Sequence, residues 1–275
     1  MNAWSREDIV VAFALYCVTP LNKINPSNKV IQQVAEIIPH SVASIVMRMR
    51  NFQFIDPKVS SGLKNVAKAD RLIYEEFKHD WGALSLEAET LTGLDLFDSS
   101  PLQGAKALSS LTDHSKVTRE RYFFKKAVLA TYSGRCFISG CALPQMLVAS
   151  HIKPYSHCRD SADRTSPENG ICLNTFYDKA FDRGLITITP SMKIHVSPSI
   201  LNAPQDAFTA RWLTSLDGNV LPPPDFRRVE SFWSTITTKF LGGSHEYSNL
   251  CSVFCRPETD RSEYRRSAQS LHRFL

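Results

Sequence analysis

The chain has 275 residues, 43% hydrophobic and 21% charged, which provides for one large domain or two ordinary ones and excludes a disordered tail. The longest apolar run near the start, residues 9–18, is too short to span a bilayer. It follows Glu7 and Asp8 where a signal peptide would carry positive charge, so a cytoplasmic protein without a membrane partner is expected. Seven cysteines, an odd count, do not read as a secreted disulfide framework, and the net charge of +5 is uneven: residues 116–165 hold nine basic and three acidic side chains, leaving the rest close to neutral. Such a patch either attracts a polyanion by releasing its counterions or is a solvated face.

Residues 1–91 read as helical. Ser5 and Asp8 have the spacing of a capping box, and apolar Ile9, Val10, Phe13 and Cys17 follow. Thr19-Pro20 ends this first helix. After Asn25-Pro26-Ser27, a second run carries Val30, Ile31, Val34, Ala35, Ile37 and Ile38 on one side. Pro39-His40 interrupts it, and Ser41 is a good N-cap for a third helix. That helix has Val42, Ile45, Val46 and Met49 on one face and Ser44, Arg48 and Asn51 on the other. Two short helices around a tight turn, the second with polar and basic groups outward, make a helix-turn-helix pattern. Arginine and asparagine reach guanine and adenine edges, so Ser44, Arg48 and Asn51 are candidate DNA contacts; an ordinary helical hairpin with a polar outer face is the alternative. A fourth helix is expected over 68–78. Residues 92–115, richer in Gly, Ser, Asp and Pro, fit a linker. A helix over 118–132 follows, with Phe123, Val128, Leu129 and Tyr132 among basic residues, and Ser133-Gly134 stops it.

The residues that carry chemistry begin after 135. Residues 147–152 form a short apolar strand that reaches His151, and a polar loop follows. Asn169-Gly170 is a strong turn signal, and 171–173 can return as a second strand. Asn174 or Thr175 can cap a helix bearing Asp178 and Asp182, four apart and therefore on one face. Two such carboxylates suit Mg²⁺ or Mn²⁺, and a neighbouring imidazole is a natural general base for water. Metal plus base beside a cationic helix is a constellation for phosphodiester hydrolysis.

Several fixed spacings then occur together. They are Arg135-Cys136, Ser139-Gly140, Leu147, Ala149-Ser150-His151-Ile152, Pro154-Tyr155, Arg164, Pro167, Asn169-Gly170, Leu173, Asp178 and Phe181-Asp182-Arg183-Gly184. Over about 70 residues this pattern resembles the HNH endonucleases, the ββα-metal finger nucleases, in their restriction-type branch. Residues 1–90 are also similar, more weakly, to the helical region often found ahead of such nucleases. The resemblance implies that His151 is the general base and that Asn169 pins the loop that orients it. It implies that Asp178 and Asp182 are the ligands of a single Mg²⁺ or Mn²⁺. It makes Arg164 a candidate phosphate contact, or a clamp on the loop, with Lys153 a further candidate phosphate contact. It also implies 5′-phosphate and 3′-hydroxyl ends. Two departures stand out: Ser150 occupies a place where many relatives have an acid or histidine, and Tyr177 one where the branch often has histidine. Many relatives carry a structural zinc, for which Cys136 and Cys141, spaced C-x4-C, with Cys158 and Cys172 are candidate ligands; simple burial of Cys172 in a strand is the alternative.

Residues 185–189 and 193–196 alternate as a hairpin. Pro222-Pro223-Pro224 precedes a closing helix over 226–240, and the tail 242–275 has little periodicity. The expected architecture is α+β: a helical, helix-turn-helix-like domain (1–91), a linker (92–115), a ββα-metal nuclease domain (116–200) and a C-terminal extension (201–275). The expected partner is double-stranded DNA. A homodimer is a further expectation, since one finger hydrolyses one strand. The expected activity is metal-dependent DNA cleavage, with restriction and phage defence as fitting roles. A DNA-binding or regulatory protein whose finger does not cut is the second reading.

Overall fold

The computed structural model describes residues 3–55, 66–96, 106–107 and 116–222. The expected closing helix over 226–240 and the tail 242–275 lie outside the described residues. The chain divides into two compact units. The first is 1–179 with 224–229, and the second is 180–223 with 230–275.

The first unit is built around α1 (Arg6–Val18). Ser5 caps it as expected: its hydroxyl accepts from the Asp8 amide, while the Asp8 carboxylate accepts from the Ser5 amide. Every residue from Ile9 to Cys17 is buried, so the helix is apolar all round and sits inside a bundle rather than on its surface. Around it pack α3 (Val42–Ile55), α4 (Lys68–Phe77), α5 (Trp81–Thr92) and α6 (Lys116–Thr131). Phe13 stacks on Phe52 at 4.6 Å, and Trp81 on Phe123 at 5.8 Å. Each such fully buried ring contributes about 1.5–3 kcal/mol from area alone, which is why the bundle closes on this helix.

α2 (Lys29–Ile37) starts at Asn28, whose side chain accepts from the amides of Val30 and Ile31. α2 and α3 meet at a bend of 110°, and Ser41 caps α3 through the Ser44 amide. α5 begins at Asp80, whose carboxylate accepts from the Ala83 amide, and ends at Gly93 in the left-handed region (φ 63°). Within the expected linker, β1 (Leu94–Asp95) pairs antiparallel with β2 (Lys106–Ala107).

α6 belongs to two neighbourhoods at once. One side packs on α1 and α5, and the other lies on a hairpin of β3 (Leu147–His151) and β4 (Gly170–Asn174). The register sets His151 opposite Gly170 and Leu147 opposite Asn174. Asn169-Gly170 does not make the expected turn. Gly170 is extended (φ −120°, ψ 145°), and a Cβ there would lie 2.1 Å from Val128 and 3.0 Å from Phe124 of α6. The glycine is required by the approach of a helix, not by backbone curvature. α7 (Ser161–Thr165), capped by Asp160, lies in the loop between the strands. α8 (Thr175–Asp182) follows β4, with Asn174 as its cap through the Tyr177 amide.

The second unit has β5 (Ile186–Ile188) paired antiparallel with β6 (Ile194–Val196), the expected hairpin. α9 (Pro198–Leu201) and α10 (Ala207–Trp212) follow. No single helix among the described residues is long and apolar enough to cross a membrane.

Candidate active site

The loop between β3 and β4 is closed by one amide side chain. Asn169 is fully buried. Its Oδ1 accepts from the Lys153 amide at 2.7 Å, and its Nδ2 donates to the carbonyls of Asp163 (3.0 Å) and Lys153 (3.2 Å) and to Cys158 Sγ (3.4 Å). Its carbonyl accepts from the Ile152 amide at 2.8 Å. A buried amide with its groups satisfied this way fixes the backbone just after His151, since breaking any bond strands a polar atom out of water.

His151 ends β3 and is held on three sides. Its ring stacks on Phe124 of α6, centroids 3.9 Å apart and planes at 9°. Tyr155 meets it edge-on at 5.8 Å. Its Nε2 donates to the Arg164 carbonyl at 2.9 Å. A carbonyl can only accept, so Nε2 carries the proton and Nδ1 the lone pair of the neutral ring. Arg164 thus fixes the tautomer through its backbone, while its guanidinium lies 5.0 Å over the Tyr155 ring. The Arg164 Nε is buried with no hydrogen-bond partner among the described residues. A buried, unpartnered cationic donor beside a basic imidazole suits an anionic oxygen.

These groups open on a cleft of about 440 Å³. Its lining includes His151, Tyr155, Arg164, Arg121, Lys125 and the acid Glu120. Glu120 is buried, with a carboxylate oxygen 3.0 Å from where a Cβ on Gly82 of α5 would lie.

The structure gathers His151, Asn169 and Arg164 at one end of the hairpin. Lys153 lies in the same loop, but its ammonium is paired with Asp163 and its backbone with Asn169, so it is a loop strut rather than a free phosphate contact. The Lys153 ammonium holds the Asp163 carboxyl below the usual carboxylate range. Arg48 and Asn51 also depart from expectation. Both donate to Asp70 of α4, which is fully buried, and the Arg48 guanidinium lies over Trp4 at 4.4 Å. A carboxylate without water needs such donors, so the two side chains turn into the bundle instead of toward a base edge. Ser44 is half-buried on α3 and, like them, is not among the cleft residues.

Asp178 is half-buried in the first turn of α8 and is not among the residues lining the cleft. Asp182 is exposed at the end of the same helix and belongs to the second unit. Among the described residues, no group of three or more His, Cys, Asp or Glu side chains is placed to hold a metal ion. The expected zinc site of Cys136, Cys141, Cys158 and Cys172 is therefore not formed there. Cys158 instead meets Asn169 and the carbonyls of Lys153 and Pro154, while Cys172 is buried in β4, where burial pushes its thiol up to about 12. Carboxylate oxygens such as that of Asp178 are the donor type a hard divalent ion takes. Ser150 and Tyr177, where relatives often carry a ligand, are both core residues here, 4% and 3% exposed.

Phe124, Arg121 and Lys125 are the site residues that the sequence reading did not single out. The signal was present in the basic stretch: Arg121 and Lys125 are four apart and flank Phe124, so the three share one helical face.

Comparison with known proteins agrees with the pattern of residues. Residues 136–189 match the family model described as HNH endonuclease, a segment that runs from the Cys136 knuckle through β3, β4 and α8 to the first strand of the second unit. No curated protein matches the chain. The segment 136–189 is thus of the HNH endonuclease family.

Proposed function

We propose that this chain, with its HNH-like segment at 136–189, is a metal-dependent endonuclease of double-stranded DNA with His151 as its general base. The observation that carries the reading is the setting of His151. Nε2 is committed to the Arg164 carbonyl, Phe124 holds the ring plane, and the cleft in front carries Arg164 with an unpartnered buried donor. In the proposed reaction His151 Nδ1 takes a proton from water. The water oxygen bonds to phosphorus as the bond to the 3′-oxygen breaks; that oxygen takes a proton from solvent, and His151 releases its own to solvent afterwards. The Arg164 guanidinium stabilises charge on the non-bridging oxygens. Asn169 keeps the strand end from shifting, so the ring stays in line. A divalent ion, with carboxylate oxygen such as that of Asp178 among its donors, would supply Lewis-acid stabilisation of the charge that develops on the scissile phosphate and leaving group.

The test is nicking of a supercoiled plasmid by the full chain, with Mg²⁺, Mn²⁺ or EDTA. Wild type should nick only with metal, and His151→Ala should bind DNA but nick far more slowly. A His151→Ala protein that cuts at the wild-type rate overturns the assignment. A second reading, a DNA-binding protein whose finger does not cut, is favoured by the burial of Ser150 and Tyr177 and by the absence of Asp178 from the cleft lining. It predicts binding with no nicking under any metal.

A further inference from the structure

We infer that α6 is the helix that tracks the DNA backbone, with Arg121 and Lys125 binding phosphates next to the one at His151. This assigns the duplex-gripping surface of the proposed nuclease, and it rests on that reading for the substrate.

Several cations of the first unit are already spent within the fold. On α1, Arg6 is paired with Glu76 and Glu87. On α3, Arg48 is bound to Asp70, and Arg50 donates to the Ile24 carbonyl at 3.0 Å. Lys126 of α6 donates to the Leu96 carbonyl at 2.9 Å, and Lys153 is paired with Asp163. Arg121 and Lys125, like the exposed Lys29 and Arg71, are not spent in this way, and they differ from those in where they stand. No hydrogen bond or ion pair within the described residues holds either of them, and both line the cleft that holds His151. The Arg121 guanidinium lies 5.7 Å from the Tyr155 ring, the same ring that touches His151 edge-on. Between the two cations in sequence, Phe124 stacks on His151.

Helical spacing makes the surface deliberate. Arg121 and Lys125 are one turn apart on one face, whereas Arg119 and Lys126 are two turns apart on the opposite face, near the buried Glu89. Only the first pair opens on the cleft. The helix is also rigidly tied to the reaction centre, because Gly170 lets Val128 and Phe124 close onto the start of β4. A phosphate chain lying along Arg121, Lys125 and Arg164 would meet three cations before reaching the imidazole.

The experiment measures binding of the full chain to a short duplex, in EDTA, over a range of salt, with nicking measured separately. The paired variant Arg121→Gln with Lys125→Gln should make the slope of log K against log salt shallower by about 1.8, about 0.9 for each lost phosphate contact, and weaken binding accordingly. Arg50→Gln on α3 should leave the slope unchanged. Glutamine removes the charge while keeping a polar side chain of similar helix propensity, and circular dichroism verifies that both variants fold. If the paired variant keeps the wild-type slope, or if Arg50→Gln makes it shallower instead, the inference is overturned. These outcomes separate from those of the nuclease reading. A chain that binds through α6 but never nicks loses only that reading. A chain that nicks with an unaltered slope in the paired variant loses only this inference. A wild-type chain that does not bind the duplex loses both.

Discussion

Helices α3 and α6 offer the same raw material, and the fold uses it in opposite ways. Each carries basic and polar side chains beside an apolar face. On α3, Arg48 and Asn51 are consumed by the buried carboxylate of Asp70. On α6, one basic face is turned toward the buried acids Glu89 and Asp95, and the other opens on the His151 cleft. The difference teaches that a basic residue's role depends on where the nearest dehydrated carboxylate lies. An ion pair formed out of water is much stronger than one on the surface, so buried acids draw in cations that sequence alone would leave outside.

The comparison can be broken most decisively at the centre that α6 supports. Replacing His151 by alanine should slow nicking by about 10²–10⁴-fold, the usual worth of a general base, with duplex affinity retained. Single-turnover rates beside equilibrium binding would separate the two effects. The α3 side is tested by Asp70→Ala, which strands Arg48 and Asn51 inside the bundle and should cost about 3–5 kcal/mol in urea unfolding at unchanged m. A loss below about 0.5 kcal/mol would mean that Arg48 is free after all. Smaller again is Gly170→Ala. The added methyl meets Val128, so α6 must move off the hairpin at a cost of about 1–3 kcal/mol, with nicking falling more than duplex affinity.

The finest test addresses the inward face of α6 through pH. Burial lifts the Glu89 carboxyl to about 7, with Asp95 adding to the shift and Arg119 and Lys126 opposing it. The folded chain therefore holds a proton on Glu89 that the unfolded chain releases near 4.5. Stability from this group is present below the unfolded value and is lost as pH rises toward 7. Glu89→Gln should melt like wild type in acid and at a higher temperature at pH above about 7. Equal melting temperatures at both ends of the range would show that Arg119 and Lys126 already neutralise the acid.

Much of the secondary structure was legible because its causes are local. The capping box at Ser5 and Asp8, the Ser41 cap, the strand that reaches His151 and the β5–β6 hairpin all follow from a few adjacent residues. The roles expected of His151, Asn169 and Arg164 came from a resemblance, and the structure brings the three residues to one end of the hairpin. Less legible were features set by distant partners. Asn169-Gly170 has the composition of a turn, yet its glycine answers to Val128 of another element. Arg48 has the chemistry of a base reader, yet Asp70 lies 22 residues away in sequence and beside it in space. The four cysteines have metal-binding chemistry, but Cys158 is drawn to Asn169 and Cys172 into the strand core.

Spacing along the chain was enough to place the capped helices, the β-α order of residues 147–182, and His151 and Asn169 at the two ends of the loop that joins β3 to β4. Each of these rests on spacing along the backbone. Only the tertiary structure decided which charges remain available and which face of α6 meets the cleft. That choice depends on burial, because removing water makes an unpaired charge costly and forces the nearest opposite charge to answer it.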